Sequence, residues 1–165
     1  MYSDADILKK IEEAKPDIIA IDAPLTLPYG RDSIEQKTNV HLRECDRELL
    51  RRRIKFFPVT LGPMRKLTAR GISLRTTLEK KGFKVIEVYP GGAQDILRIP
   101  RKQRGLDKLK AGLENQGIKG LKNKMSDHEL DAVTCALVGK LYLQGKTITY
   151  GNREQAIIMP QDKNR

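Results

Sequence analysis

Apolar residues along the chain recur with a helical spacing in most segments and run together without interruption in a few short ones. Lys15-Pro16 and Gly82 mark the ends of two of the helical segments, because proline and glycine interrupt or close a helix. The predicted helices cover residues 3–15, 39–53, 64–81, 92–98, 103–115 and 127–144.

Two short stretches, residues 17–22 and 83–89, are almost continuously apolar and predict strands. The first is typical of a strand that is buried on both faces of a parallel sheet. Residues 147–150 and 156–159 flank a Gly-Asn turn and predict a closing hairpin. The order of elements predicts one α/β domain over residues 1–165, with a short, mainly parallel sheet flanked by helices and a C-terminal hairpin.

Basic residues outnumber acidic ones by 32 to 21, which gives the chain a formal net charge of +11. The excess is spread through the domain, which favours a basic face on the folded protein. Such a face suggests a polyanionic partner, first of all nucleic acid, although a lysine-rich solvated surface is an equally simple explanation. The sequence has no apolar run of membrane length, no signal peptide and no cysteine pair with metal-ligand spacing, so we expect a cytoplasmic protein.

The last predicted helix opens with an unusual group of polar side chains. Ser126 and Glu129 have the spacing of a capping box, so the helix should begin at about residue 127. Asp127, His128 and Asp131 then lie on its first turns, and the residues that follow are mostly apolar. Acids at the start of a buried helix are expensive to desolvate, so we expect this group to bind a cation or to face a polar cleft.

A further acid, Asp22, ends the apolar strand 17–22. Functional groups of parallel sheets gather at the carboxyl ends of strands, so Asp22 could join Asp127 and Asp131 in one carboxylate cluster. Such a cluster suits Mg²⁺ or Mn²⁺, and His128 suits manganese or a general acid/base role. Two ions of this kind can clamp the attacking and leaving oxygens of a phosphodiester. The alternatives are that Asp22 only caps a turn and that Asp127 only complements the helix dipole.

Several basic side chains are candidates for contact with nucleic acid. Arg43, Arg47 and Arg51 recur at a spacing of four, which is also typical of a solvated helix face. A second group follows a loop rich in proline and glycine, where phosphate contact is plausible. The candidates are Arg43, Arg47, Arg65, Lys66 and Arg70. Glu87 alternates with apolar neighbours in the second strand, so we give it a supporting role in a salt bridge.

Five separated motifs show a familiar pattern: Ile19-Ala20-Ile21-Asp22-Ala23-Pro24-Leu25, Arg43-Glu44-Cys45-Asp46-Arg47, Phe57-Pro58-Val59-Thr60, Glu87-Val88-Tyr89-Pro90 and Asp127-His128-Glu129-Leu130-Asp131-Ala132. Together they resemble the domain-of-unknown-function family four-two-nine, whose members are described as predicted nucleases of the RNase H fold. The resemblance runs from about residue 5 to the C-terminus. It implies an RNase H-like fold and a metal-dependent nuclease activity.

The resemblance also implies roles for the acids. Asp22 looks like the fourth-strand acid of RNase H-like nucleases, and Asp127 and Asp131 look like their last-helix acids. His128-x-x-Asp131 resembles a motif of some Holliday-junction resolvases in that superfamily. Catalytic roles are therefore expected for Asp22, Asp127, Asp131 and His128, with the metal held by the three aspartates.

One departure from the family pattern concerns the N-terminal side. Family members begin with a strand carrying Gly-Ile-Asp and two further strands, whereas this sequence starts at the helix that follows them. The expected fold is thus an RNase H-like domain truncated at its N-terminus, without the first-strand acid. Strand 17–22 would then keep an unpaired edge, so we expect a homo-oligomer that covers this edge.

Two functions remain open from the sequence. The first is a metal-dependent nuclease that hydrolyses phosphodiesters, with the qualification that the short form lacks one acid. The second is a basic protein that binds nucleic acid or another partner without catalysis and retains the fold.

Overall fold

The computed structural model describes residues 3–162, and its helices and strands follow the order predicted from the sequence. A 3-10 turn over Lys102–Arg104 precedes the fifth helix. The helices of this part are α1 (Asp4–Ala14), α2 (Glu44–Arg51), α3 (Met64–Lys80), α4 (Pro90–Ile96), α5 (Leu106–Asn115) and α6 (Asp127–Leu143). The strands are β1 (Ile19–Ile21), β2 (Val85–Glu87), β3 (Thr147–Gly151) and β4 (Ala156–Pro160).

The strands form two separate ladders. β1 and β2 are parallel, with Ile19 opposite Val85 and Ile21 opposite Glu87. β3 and β4 are antiparallel and form the C-terminal hairpin. These ladders confirm an α/β architecture with one parallel pair and one hairpin, in which the parallel part is limited to two short strands.

Three apolar clusters connect the layers. The first joins α2 to the hairpin, the second joins β2 to α4, α6 and β4, and the third joins α5 to α6. Both cysteines are buried free thiols, Cys45 in the first cluster and Cys135 in the second. The hairpin therefore packs against β2, α4 and α6 through β4.

Helix α6 begins where the capping box predicted. The backbone N–H of Glu129 donates to Ser126 Oγ at 3.2 Å, and the backbone N–H of Ser126 donates to Glu129 Oε2 at 2.8 Å. Further along, a Cβ on Gly139 would come within 3.4 Å of Ile18 Cγ2, so the helix lies directly on β1. This packing brings the first turns of α6 to the carboxyl end of β1.

Two sequence predictions about these elements are wrong. Helix α2 begins at Glu44 rather than near residue 39, because Arg43 is extended and its side chain is buried. Strand β1 is half-buried rather than buried on both faces. Within the described residues β1 has a hydrogen-bonded neighbour only on the β2 side, so part of its surface stays accessible.

The open edge of β1 is the feature on which the expected oligomer depends. An unpaired edge can accept another strand, but assembly through it stays a prediction. Between Ser3 and Asp162, none of the helices combines the length and the apolar character needed to cross a bilayer.

Candidate functional site: a charged cleft with a bridging lysine

A cleft of about 820 Å³ opens at the carboxyl end of β1. Asp22, which follows β1, and Asp131, on the second turn of α6, both line it. The other side chains come from the loop after α2, from the start of α4 and from the 3-10 turn. They include Leu50, Ile54, Lys55, Phe56, Phe57, Tyr89, Gln94, Arg101, Lys102 and Gln103.

Asp131 is held in a fixed orientation at the floor of this cleft. Gln94 Nε2 donates to Asp131 Oδ1 at 3.1 Å and also to Thr134 Oγ1 at 3.1 Å. Lys102 Nζ donates to the other carboxylate oxygen, Asp131 Oδ2, at 3.1 Å. The side chain of Asp131 is only 12% exposed, so both of its oxygens accept hydrogen bonds from protein groups in a largely desolvated position.

Lys102 joins the two acids of α6. Its Nζ also donates to Asp127 Oδ2 at 3.0 Å, so one ammonium group lies between two carboxylates. The hydrogen bond to Asp127 raises the pKa of Lys102, and the same bond lowers the pKa of Asp127. The ammonium group thus occupies a position between carboxylates in which a metal cation could also bind.

Asp22, the other carboxylate that lines the cleft, has a perturbed pKa. Its side chain is reached by solvent at the cleft surface, yet protein atoms surround it on most sides. This partial desolvation, together with the charge of Asp131, raises the pKa of Asp22 to about 6, while Lys102 and His128 oppose the rise. Asp22 therefore titrates close to neutral pH, as acids at working sites often do.

His128 and Asp127 lie at the margin of this arrangement. His128 is 89% exposed and its Nε2 lies 4.0 Å from Asp127 Oδ1. Asp127 is 39% exposed and reaches the cleft through its bond to Lys102. The structure therefore brings Asp22 and Asp131 together in one cleft, connects Asp127 to them through a lysine, and leaves His128 at the surface.

The oxygen atoms that line the cleft can be compared with the ligands that a divalent cation requires. Carboxylate oxygens are the ligands that Mg²⁺ prefers, and this ion is commonly held by one or two carboxylates, with water and phosphate completing its shell. Asp22 and Asp131 fit this requirement once Lys102 moves from Asp131. In the described part of the chain, however, no group of three or more histidine, cysteine or acidic side chains is placed to hold a metal ion. The residues thus fit an open, two-carboxylate site and do not form a closed protein cage.

Arg43 corrects one of the predicted contacts with nucleic acid. Its side chain is 2% exposed, and its guanidinium donates to Glu87 Oε2 at 2.8 Å and to Asp46 Oδ1 at 2.9 Å. Because this group is enclosed between two carboxylates, it cannot act as a surface contact for phosphate. The spacing from Arg43 to Arg51 suggested one helix face, but Arg43 precedes α2 and lies outside it.

Glu87 stabilises the turn that follows β1 and carries Asp22. Besides Arg43, its carboxylate accepts a hydrogen bond from the backbone N–H of Leu25 at 2.7 Å. Leu25 lies three residues after Asp22, so this bond holds the turn that places Asp22 at the end of β1. The salt bridge that the strand pattern predicted for Glu87 is thus present, and it is buried.

The other predicted basic contacts lie away from the cleft. Arg65 pairs with Glu35, and Arg70 donates to Asp4. Arg47 and Lys66 are exposed on their helices and are not among the residues that line the cleft.

Three cations that the sequence did not single out line the cleft instead: Lys55, Arg101 and Lys102. Residues 101–104 read Arg-Lys-Gln-Arg, a basic run that could have drawn attention. No spacing rule, however, connects that run to Asp127 or Asp131.

Comparison with known proteins gives one match. The pattern of the family described as "Protein of unknown function (DUF429)" matches residues 2–155, nearly the whole chain, which confirms the resemblance found in the motifs. No curated protein and no solved structure matches the chain.

Proposed function

We propose, since the chain belongs to the DUF429 family, that its Asp22–Asp131 cleft binds nucleic acid and hydrolyses phosphodiester bonds with the aid of Mg²⁺ or Mn²⁺. The observation that carries the proposal is the meeting of Asp22, Asp131 and Lys102 in one cleft at the end of a parallel strand. The resemblance of the motifs to predicted nucleases of the RNase H fold favours the same chemistry.

The charge of the cleft supports a polyanionic ligand. Two carboxylates alone would repel a phosphate backbone, but Lys55, Arg101 and Lys102 line the same cleft. The net charge of +11 adds a long-range attraction for polyanions, which concentrates them near the surface. The cleft therefore combines carboxylates for a cation with basic side chains for a phosphate.

The side chains have separable roles in this proposal. A divalent ion held by Asp22 and Asp131 would activate water and stabilise charge on the phosphate. Gln94 keeps Asp131 oriented through its hydrogen bond to Oδ1. Lys102 neutralises the α6 acids while the cation is absent, and it lines the cleft that a phosphate would enter. Because the pKa of Asp22 is about 6 without a bound cation, a cation has to compete with a proton for this carboxylate as the pH falls towards that value.

A cleavage assay tests the proposal. Labelled single-stranded and duplex DNA and RNA are incubated with the purified protein in Mg²⁺, in Mn²⁺ and in EDTA. We expect cleavage only with a metal ion, and we expect Asp22→Asn and Asp131→Asn to abolish it. Lys108→Ala, an exposed change on α5 outside the cleft, is the matched control. Cleavage that is equal in all variants would mean that the activity comes from a contaminant or from another site.

The second candidate is a protein that binds nucleic acid without hydrolysing it. Lys102 favours this alternative, because its ammonium group already neutralises Asp127 and Asp131 in the absence of metal. Binding of DNA and RNA in EDTA at two salt concentrations tests it. We expect the affinity to fall steeply as salt rises, since phosphate contacts release counterions. Salt-dependent binding with no cleavage under any metal condition would select this alternative.

A further inference from the structure

Phe57 is a large apolar side chain that the fold leaves in water. It is 77% exposed, more than any other large apolar side chain in residues 3–162, and it lines the cleft of Asp22 and Asp131. Full burial of a phenylalanine side chain contributes about 1.5–3 kcal/mol, and Phe57 forgoes most of this stabilisation. An exposed aromatic ring at a charged cleft therefore calls for a ligand with an apolar face.

The loop holds Phe57 outward by burying the side chains on either side of it. Ile54 and Val59 are buried, and Phe56 packs against the core cluster of α2 and the hairpin. Tyr89 Oη donates to the carbonyl oxygen of Lys55 at 2.6 Å and fixes the backbone of the same loop. Since its neighbours are anchored in the core, the conformation of the loop itself directs Phe57 towards the cleft.

The charges beside Phe57 favour one class of ligand. Lys55 lies two residues away, and Arg101 and Lys102, each ion-paired with aspartate, line the same cleft. A flat apolar face next to several cations matches a nucleotide, which carries a base next to an anionic phosphate. Phe56 and Phe57 are two of only three phenylalanines in the chain, so aromatic groups are concentrated here despite their scarcity elsewhere.

We propose that Phe57 stacks on an unpaired nucleobase, so that the cleft selects single-stranded over duplex nucleic acid. This inference rests on the proposed function and specifies its substrate. In a duplex both faces of each base are covered by neighbouring bases, whereas an unpaired base can offer a face to an aromatic side chain. Base stacking of this kind tolerates any sequence, because every base has a flat face.

The absence of tryptophan from the chain permits a direct test. Phe57→Trp introduces a single fluorescent reporter at the proposed stacking position. Leu143→Trp is the matched control, because Leu143 is 54% exposed at the end of α6 and does not line the cleft. Both variants are titrated in EDTA with oligothymidylate, with an abasic strand of the same phosphate number, and with a duplex.

We expect oligothymidylate to quench Phe57→Trp with saturation, the abasic strand to bind more weakly without quenching, and Leu143→Trp to respond to neither. In a binding assay with unlabelled protein, Phe57→Ala should weaken single-strand affinity by roughly tenfold. Leu143→Ala should leave it unchanged, and Phe57→Trp should retain it.

Each contrary result has its own meaning. Equal affinity for abasic and base-containing strands, with no effect of Phe57→Ala, would overturn the stacking proposal and leave the nucleic-acid cleft intact. Failure of the wild type to bind any strand at low salt would remove the proposed function, and this inference with it. A dimer in sedimentation that Phe57→Ala abolishes, without any strand binding, would show that Phe57 contacts a second copy instead.

Discussion

Two groups of charged side chains lie near the parallel pair of β1 and β2, and each combines one basic with two acidic residues. The first is the closed network of Arg43, Asp46 and Glu87, in which one cation is enclosed by two carboxylates and every member is buried. The second is the group of Asp22, Asp131 and Lys102, in which one cation and two carboxylates line a cleft that is open to solvent. In the first group every charge is paired with a protein group, whereas the second group has space beside it for a ligand.

The difference separates scaffold from candidate site. In the closed network Arg43 donates to both acids, and Glu87 also accepts from the backbone of Leu25. In the open cleft Asp22 has a pKa of about 6, because desolvation and the charge of Asp131 raise it more than Lys102 and His128 lower it. Similar sets of charged groups therefore stabilise the fold in one place and remain available for chemistry in the other.

The largest expected effect comes from breaking the closed network. Arg43→Ala leaves Asp46 and Glu87 buried without their cation, so we expect the free energy of unfolding to fall by about 3–5 kcal/mol. Urea denaturation measures the change. Arg47→Ala, an exposed change on the adjacent helix, should stay within about 0.5 kcal/mol of wild type. If both variants unfold alike, the network does not act as scaffold.

A smaller effect is expected at Asp22, and it depends on pH. The pKa of Asp22 is about 6 in the folded protein and 3.8 in its unperturbed state, so folding binds a proton between these values. The stabilising contribution of Asp22 is thus present below about pH 4 and is lost as the pH rises through 6.

Asp22→Asn should therefore raise the melting temperature relative to wild type more at pH 7.5 than at pH 4.5. Allowing for solvent screening, we expect a difference of about 2–4 °C, or on the order of 1 kcal/mol. Thermal unfolding by circular dichroism at both pH values provides the measurement. A difference that does not change with pH would show that Asp22 is not perturbed by its cleft.

The smallest effect on stability is expected at Lys102, the cation of the open cleft that corresponds to Arg43 in the closed network. Its ion pairs are partly exposed, so Lys102→Gln should lower stability by no more than about 1 kcal/mol. The same change removes the cation that competes for Asp131, so Mn²⁺ should bind several-fold more tightly. Lys108→Gln, on the exposed face of α5, is the control. Weaker Mn²⁺ binding in Lys102→Gln would mean that the lysine supports the metal site instead of competing with it.

Local patterns in the sequence predicted the elements well. The capping box at Ser126 predicted the start of α6, and the two apolar runs predicted the strands β1 and β2. Both signals depend on residues close together in the chain, where backbone geometry alone relates spacing to position.

Contacts between distant segments were not predictable in the same way. The periodicity that suggested an exposed face for Arg43 said nothing about Glu87, which lies 44 residues later and encloses its guanidinium. Lys102 joins Asp127 from 25 residues away, and Phe57 is exposed only because its neighbours are buried. These relations depend on how the elements pack, and single-sequence spacing does not contain that information.

Calorimetric titration of Mn²⁺ into the wild type and into Asp22→Asn at pH 7.5 tests most directly whether the open cleft is a working site. If Asp22 and Asp131 hold a cation, the wild type should show a saturable binding event that Asp22→Asn loses, while Arg47→Ala retains it. Identical titration curves for the wild type and Asp22→Asn would contradict the account and place any metal binding elsewhere on the protein.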